Sequence, residues 1–246
     1  MKERKSTKTI RVVVVALVLG GGTLSFSPLP TESYTFQNTS TLEPLRVTIA
    51  GTISPTTFLS MQRGTVSFNR FPADVEEFEW MQEQIGLRPH GAVALQIMAY
   101  EMFRRNRAIG QTCIRMNNTT SNVMGPTNRL SELYGNTTGY ARPYQMAAFL
   151  KGATPKNGYN PAKPYKVEVR VNRSIKYQYS NDYQTNVIYL QVLTQGKSHG
   201  AEGVSVLRTL RPGEPGNGEY FIVLDSPGLY SQVLEASFAN PFRGLE

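Results

Sequence analysis

Gly196, Ser198 and Gly200 stand in the spacing G-x-S-x-G, the turn that lifts a nucleophilic serine above an α/β-hydrolase sheet. That chemistry requires a helix after the serine and a histidine base later in the chain. Here a strand-like pattern follows, no histidine lies beyond His199, and the only other one is His90, far upstream. The pentapeptide is therefore expected to be a hairpin loop. Gly196-Lys197-Ser198 also ends like a phosphate-binding loop, but the glycine required five residues earlier is Gln191, and again no helix follows.

Metal and carboxylate chemistry find equally little purchase. Two histidines and one cysteine, Cys113, give no ligand spacing for zinc. Glu76, Glu77, Glu79 and Glu83 fall at helical spacing and read as a solvated face. No metal and no cofactor is expected. The two carboxylates of a glycosidase meet only in three dimensions, so Asp182, Glu202 and Asp225 keep open an extracytoplasmic glycan or peptide hydrolase as the alternative reading. Trp80 reads as a packing residue.

A richer surface is ARPYQMAAFLKGATPKNGYNPAKPY (141–165). Tyr140, Tyr144, Tyr159 and Tyr165, with Asn157, are its candidate ligand or partner contacts. Tyrosines on rigid loops supply contact area at low entropic cost. The competing reading is that they clamp the crossover between helices and sheet.

The elements that position these residues begin after a leader. Lys2, Arg4, Lys5, Lys8 and Arg11 precede an apolar run at 12–19 and three glycines, the order of a secretory signal peptide. The run is too short for an ordinary transmembrane span of about 20 residues. Residues 1–27 are thus expected to be a signal peptide, cleaved after Gly22 or Ser25, or a retained anchor, and the protein to be secreted, periplasmic or on the cell surface. The leader carries half of the net charge of +8, which weakens the case for nucleic acid that a pI near 9.6 would make. Arg104, Arg105 and Arg107 cluster at a predicted helix end, where cations suit the dipole. A lone cysteine forms no intramolecular disulfide, and burial is expected for Cys113.

Residues 28–44 read as a polar spacer and 45–246 as one domain. LRVTIA (45–50) and TVSFN (65–69) are short strands. A helix is predicted from Pro72 to Gly86, with an acidic first turn and apolar residues at three- and four-residue spacing. A second, from Gly91 to Arg105, is apolar on nearly every face and belongs in the centre of a domain. Shorter helices are predicted at 128–134 and 143–151. From Tyr165 the period becomes strand-like: KVEVRV (166–171), NVIYLQVLT (186–194), GVSVLRTL (203–210) and EYFIVLD (219–225), with RPGEPGNG (211–218) as a turn. The expectation is an α+β fold with N-terminal helices packed on a C-terminal antiparallel sheet of about four strands, cystatin-like or nuclear-transport-factor-like in arrangement.

GAVAL (91–95), LKGATPKNGYNPAKPYKVEV (150–169) and the meander that follows resemble an uncharacterised family of exported bacterial proteins that share a domain of unknown function. The likeness covers about residues 65–235. Where that family has an aspartate and an arginine-proline pair in the hairpin after the second main strand, this chain has GKSHGAEG (196–203), so no role attached to those residues carries over. The resemblance implies a single domain and no particular activity. The function expected is non-catalytic binding of a small ligand or a cell-envelope partner, with membrane contact only through a retained leader and no contact with nucleic acid.

Overall fold

A computed structural model describes residues 31–36, 42–119, 123–135, 141–208 and 220–237. The leader, Tyr140 and the 211–218 turn lie outside the described residues. Three strands come first: β1 (Thr31–Phe36), β2 (Leu45–Thr52) and β3 (Arg63–Phe68). Four helices follow, α1 (Val75–Ile85), α2 (Pro89–Arg105), α3 (Arg107–Asn117) and α4 (Met124–Tyr134). A crossover with two short 3-10 turns then leads to β4 (Tyr165–Val171), β5 (Gln178–Ser180), β6 (Thr185–Leu193), β7 (Ala201–Leu207) and β8 (Ile222–Asp225).

The expected C-terminal sheet of about four strands is corrected to one antiparallel sheet in the order β1-β2-β3-β4-β6-β7-β8, with β5 paired to β6. The N-terminal strands belong to it because β3 pairs with β4 in register from Arg63↔Arg170 to Phe68↔Tyr165. The helices are therefore an insertion between two neighbouring strands, not a layer that precedes the sheet in the chain. Residues 31–36, expected in the polar spacer, form the edge strand β1. Their alternation puts Tyr34 and Phe36 on the inner face, where both pack on the core and Phe36 meets Trp80 at 5.3 Å between ring centroids.

The core sits between the sheet and α2. Every residue from Pro89 to Phe103 is buried, as all-round apolarity requires. One side of α2 lies on β3, β4, β6, β7 and β8, and the other is covered by α1, α3 and α4. Val47, Ile49, Val66, Val167, Val169, Val171, Leu190 and Val192 fill the facing side of the sheet. Among the described residues that inner face is filled by core side chains.

Helix ends follow local chemistry. Asp74 caps α1 by accepting from the Glu77 N–H at 2.8 Å. Glu77 departs from the expected solvated face, being fully buried and held bidentately by Arg70 at 2.6 Å on both oxygens, with the Ala73 N–H at 2.8 Å. A buried carboxylate is tolerable only when its lone pairs are filled in this way. Helix α3 adds an element to the expected ones. Asn106 starts it by accepting from Ala108 and Ile109, and Gly110 lets its backbone lie on α2, where a Cβ would come within 2.1 Å of Phe103 Cα. Arg107 thereby opens α3 instead of closing α2, while Arg104 and Arg105 pair with Glu101. Cys113 is buried, which pushes its thiol up to about 12.

Candidate functional site: an arginine-rimmed hollow on the outer sheet face

Period-2 alternation fixes which side chains leave the sheet on the solvent side. On β3 these include Arg63 and Thr65, and on β4 Glu168 and Arg170. Register then makes Arg63 the direct neighbour of Arg170, and Thr65 that of Glu168. Immediately beyond β4, Arg173 stands exposed in the loop. With Met61 in the β2–β3 loop, these residues surround a hollow of about 150 Å³.

The electrostatics are one-sided. Lysine and arginine directly opposite each other across an antiparallel pair repel, and guanidinium groups stay charged at physiological pH. Among the described residues none of the three arginines has an ion pair. Arg170 donates through Nε to Gln191 Oε1 at 2.9 Å, which orients the group without neutralising it. The one acid at the rim, Glu168, is engaged by Lys151 Nζ at 2.8 Å. The arrangement is suited to an anion with several acceptor oxygens, since the guanidinium fork matches carboxylate and phosphate.

Gly64 lines the same hollow. On its inner side the His90 ring lies so close that a Cβ would meet His90 Cδ2 at 2.4 Å. His90 is fully buried at the start of α2, and neither ring nitrogen has a hydrogen-bond partner among the described residues. Burial, with the Arg88 charge nearby, lowers it to about 4. A neutral imidazole thus backs the floor of a cationic hollow.

The tyrosine-rich crossover is built differently. Tyr144 and Tyr159 stack at 4.9 Å with 16° between planes. Tyr159 donates to Leu234 O at 2.8 Å, and Tyr144 Oη accepts from the Ala236 N–H at 3.0 Å. Burial raises the Tyr159 phenol to about 12. Asn157 closes a turn, accepting from the Thr154 N–H and donating to Gly152 O, both at 2.8 Å. Tyr165 lies apart from that stack, against Phe68 and Phe71, each at 5.6 Å. Gln145 completes the clamp on the C-terminal segment. It donates to Leu229 O and Ser231 O at 2.9 and 2.7 Å and accepts from the Val233 N–H at 3.2 Å.

The GKSHG residues form the β6–β7 connection with Ser198 exposed, a hairpin loop as expected. Lys197 instead meets Ser231, donating to Ser231 Oγ at 2.7 Å, Ser231 O at 2.9 Å and Gln232 O at 2.7 Å, with Glu202 at 3.4 Å. Burial lowers the Lys197 ammonium and Glu202 opposes that shift. A serine–lysine base would have to accept the hydroxyl proton. Here Ser231 Oγ donates to Gly228 O at 3.0 Å, and three acceptors saturate the ammonium. It is a tie for the chain.

Of the carboxylates considered from sequence, Glu202 is engaged by Lys197 and His199, and Asp225 accepts from the Ser226 N–H at 2.9 Å. Among the described residues no three His, Cys, Asp or Glu side chains gather as a metal site would require.

The arginine hollow is absent from the sequence reading. KVEVRV signals that Lys166, Glu168 and Arg170 share a face, but nothing local says that Arg63, about a hundred residues earlier, lies beside Arg170.

A family model described as Domain of unknown function (DUF6935) matches residues 70–237. The match takes in Arg170 and Arg173 and begins after Arg63. No curated protein and no solved structure matches the chain.

Proposed function

We propose a non-catalytic binding function for this chain, which belongs to the DUF6935 family: an exported domain that holds an anionic ligand in the hollow between Arg63, Arg170 and Arg173. The leader supports export. The observation that carries the binding role is the in-register Arg63↔Arg170 pair, two like charges side by side with no acid partner among the described residues. An anion seated between them turns a repulsive pair into a chelating one. Leaving the pair uncompensated costs stability, so the free domain is under mild electrostatic stress that the ligand relieves.

The ligand class is a phosphate, sulfate or carboxylate group presented by a larger molecule, because a hollow of about 150 Å³ holds an acidic group and little more. Inorganic phosphate is the direct probe. Titration calorimetry is expected to show saturable binding by the wild type that weakens with salt, and loss of it in Arg170→Gln. Equal binding by Arg170→Gln and the wild type would reject the site.

A further inference from the structure

Resting on that reading, we propose that the ligand's acidic group belongs to a lipid: the end of the sheet that carries the arginine hollow docks on an anionic bilayer surface.

Four features converge on that end. Apolar side chains stand in water there, with Leu59 52 % and Met61 68 % exposed in the β2–β3 loop and Ile175 39 % exposed in the loop after β4. The two loops are joined to each other. Phe58 meets Tyr177 edge-on at 5.7 Å, and Tyr177 donates to Ser54 O at 2.9 Å, so the apolar tips project from one braced platform.

Basic side chains surround those tips. Arg63 follows Met61 by two residues, Arg173 precedes Ile175 by two, and Lys176 is exposed beside it. Met61 itself lines the hollow with Arg63, Arg170 and Arg173. Apolar tips that enter the interface and a basic ring that meets anionic headgroups are the two components of peripheral membrane binding.

The path of the chain is the fourth feature. Thr31 pairs with Ala50, and β1 runs antiparallel to β2. Strand β1 therefore begins, at Thr31, at the end of the sheet where β2 leaves for the 53–62 loop. The sequence ahead of Thr31 holds the apolar run at 12–19. The opposite end of the outer face presents Ser67 and Lys166, and Leu42 in the β1–β2 connection is its exposed apolar residue, against three at the arginine end.

A solvatochromic probe on the full chain tests this, because it reports where the domain touches lipid whatever the leader does. Met61→Cys carries the label, and buried Cys113 stays unmodified. Lys166→Cys is the control at the far end. Vesicles of phosphatidylglycerol in phosphatidylcholine are expected to blue-shift the probe at 61 and leave it unchanged at 166, and pure phosphatidylcholine to shift neither. Adding Arg63→Gln, Arg170→Gln and Arg173→Gln is expected to weaken partitioning on the order of a hundredfold, each basic residue near the surface being worth roughly fivefold. An unshifted probe at 61, or equal shifts at both positions, overturns membrane docking. If the wild type still binds inorganic phosphate in that case, the anion site stands and its ligand is soluble. If phosphate binding is absent too, both readings fall.

Discussion

Two polar regions flank this domain and they are wired in opposite ways. In the C-terminal clamp, Gln145, Tyr144, Tyr159 and Lys197 all direct their polar atoms at the backbone of residues 228–236, and each finds a partner. In the arginine hollow, two guanidinium groups share a rung of the sheet without an acid. Groups satisfied inside the chain stabilise the fold. Charges left facing each other do not, and they are the basis of the proposed anion site. The difference supports the proposal that the aromatic segment, conspicuous in sequence, clamps the chain and that the inconspicuous arginines bind the ligand.

The sharpest way to break the contrast is Gln145→Leu, which strands the buried Leu229 carbonyl and Val233 N–H while Ser231 O keeps Lys197. Unsatisfied buried groups cost about 1–3 kcal/mol each, so urea denaturation is expected to show a loss of roughly 4 kcal/mol with phosphate affinity retained. A loss below about 1 kcal/mol would remove the clamp's structural role.

His90 gives the next effect, through pH. Its folded value is lowered to about 4 against an ordinary value of about 6.5. Between those values the unfolded chain binds the extra proton, so stability rises with pH. The contribution is complete above about pH 6.5 and is lost by about pH 4, on the order of 3 kcal/mol. Stability measured across that range is expected to lose this slope in His90→Phe; an unchanged slope would place the titration elsewhere.

Lys197→Met removes the ammonium from two carbonyls and a hydroxyl, and a drop of about 2 kcal/mol is expected. Thermal unfolding reports it, and the β6–β7 hairpin should exchange its amides faster. Arg63→Gln should show the smallest stability change and the opposite sign. Relieving the like-charge pair is expected to raise stability by about 0.5 kcal/mol while abolishing phosphate binding. A stability loss there would mean that Arg63 is part of the fold's support.

What the sequence discloses divides along the same line. Local periodicity announces β4, β6, β7 and β8, and the all-round apolarity of Ala92 to Phe103 announces a central helix. The burial of Cys113 follows from its residue type. Pairing across long separations leaves no local trace, so β3–β4 and the arginine pair stay hidden until the chain is folded. Edge strand β1 is disguised by its threonines and serine, although Tyr34 and Phe36 alternate. Glu77 shows the reverse failure: helical spacing suggests a solvated acid, and only Arg70, brought back from the β3 end, makes its burial possible.

The most direct test of the central claim is thermal stability with and without inorganic phosphate, in the wild type and in the Arg63→Gln, Arg170→Gln double variant. At a ligand concentration about ten times Kd, the wild type should gain about 1.4 kcal/mol. The double variant should gain nothing and should start no lower than the unliganded wild type. An equal gain in both proteins, or a double variant that is markedly less stable without phosphate, would contradict the assignment of the hollow as the anion site.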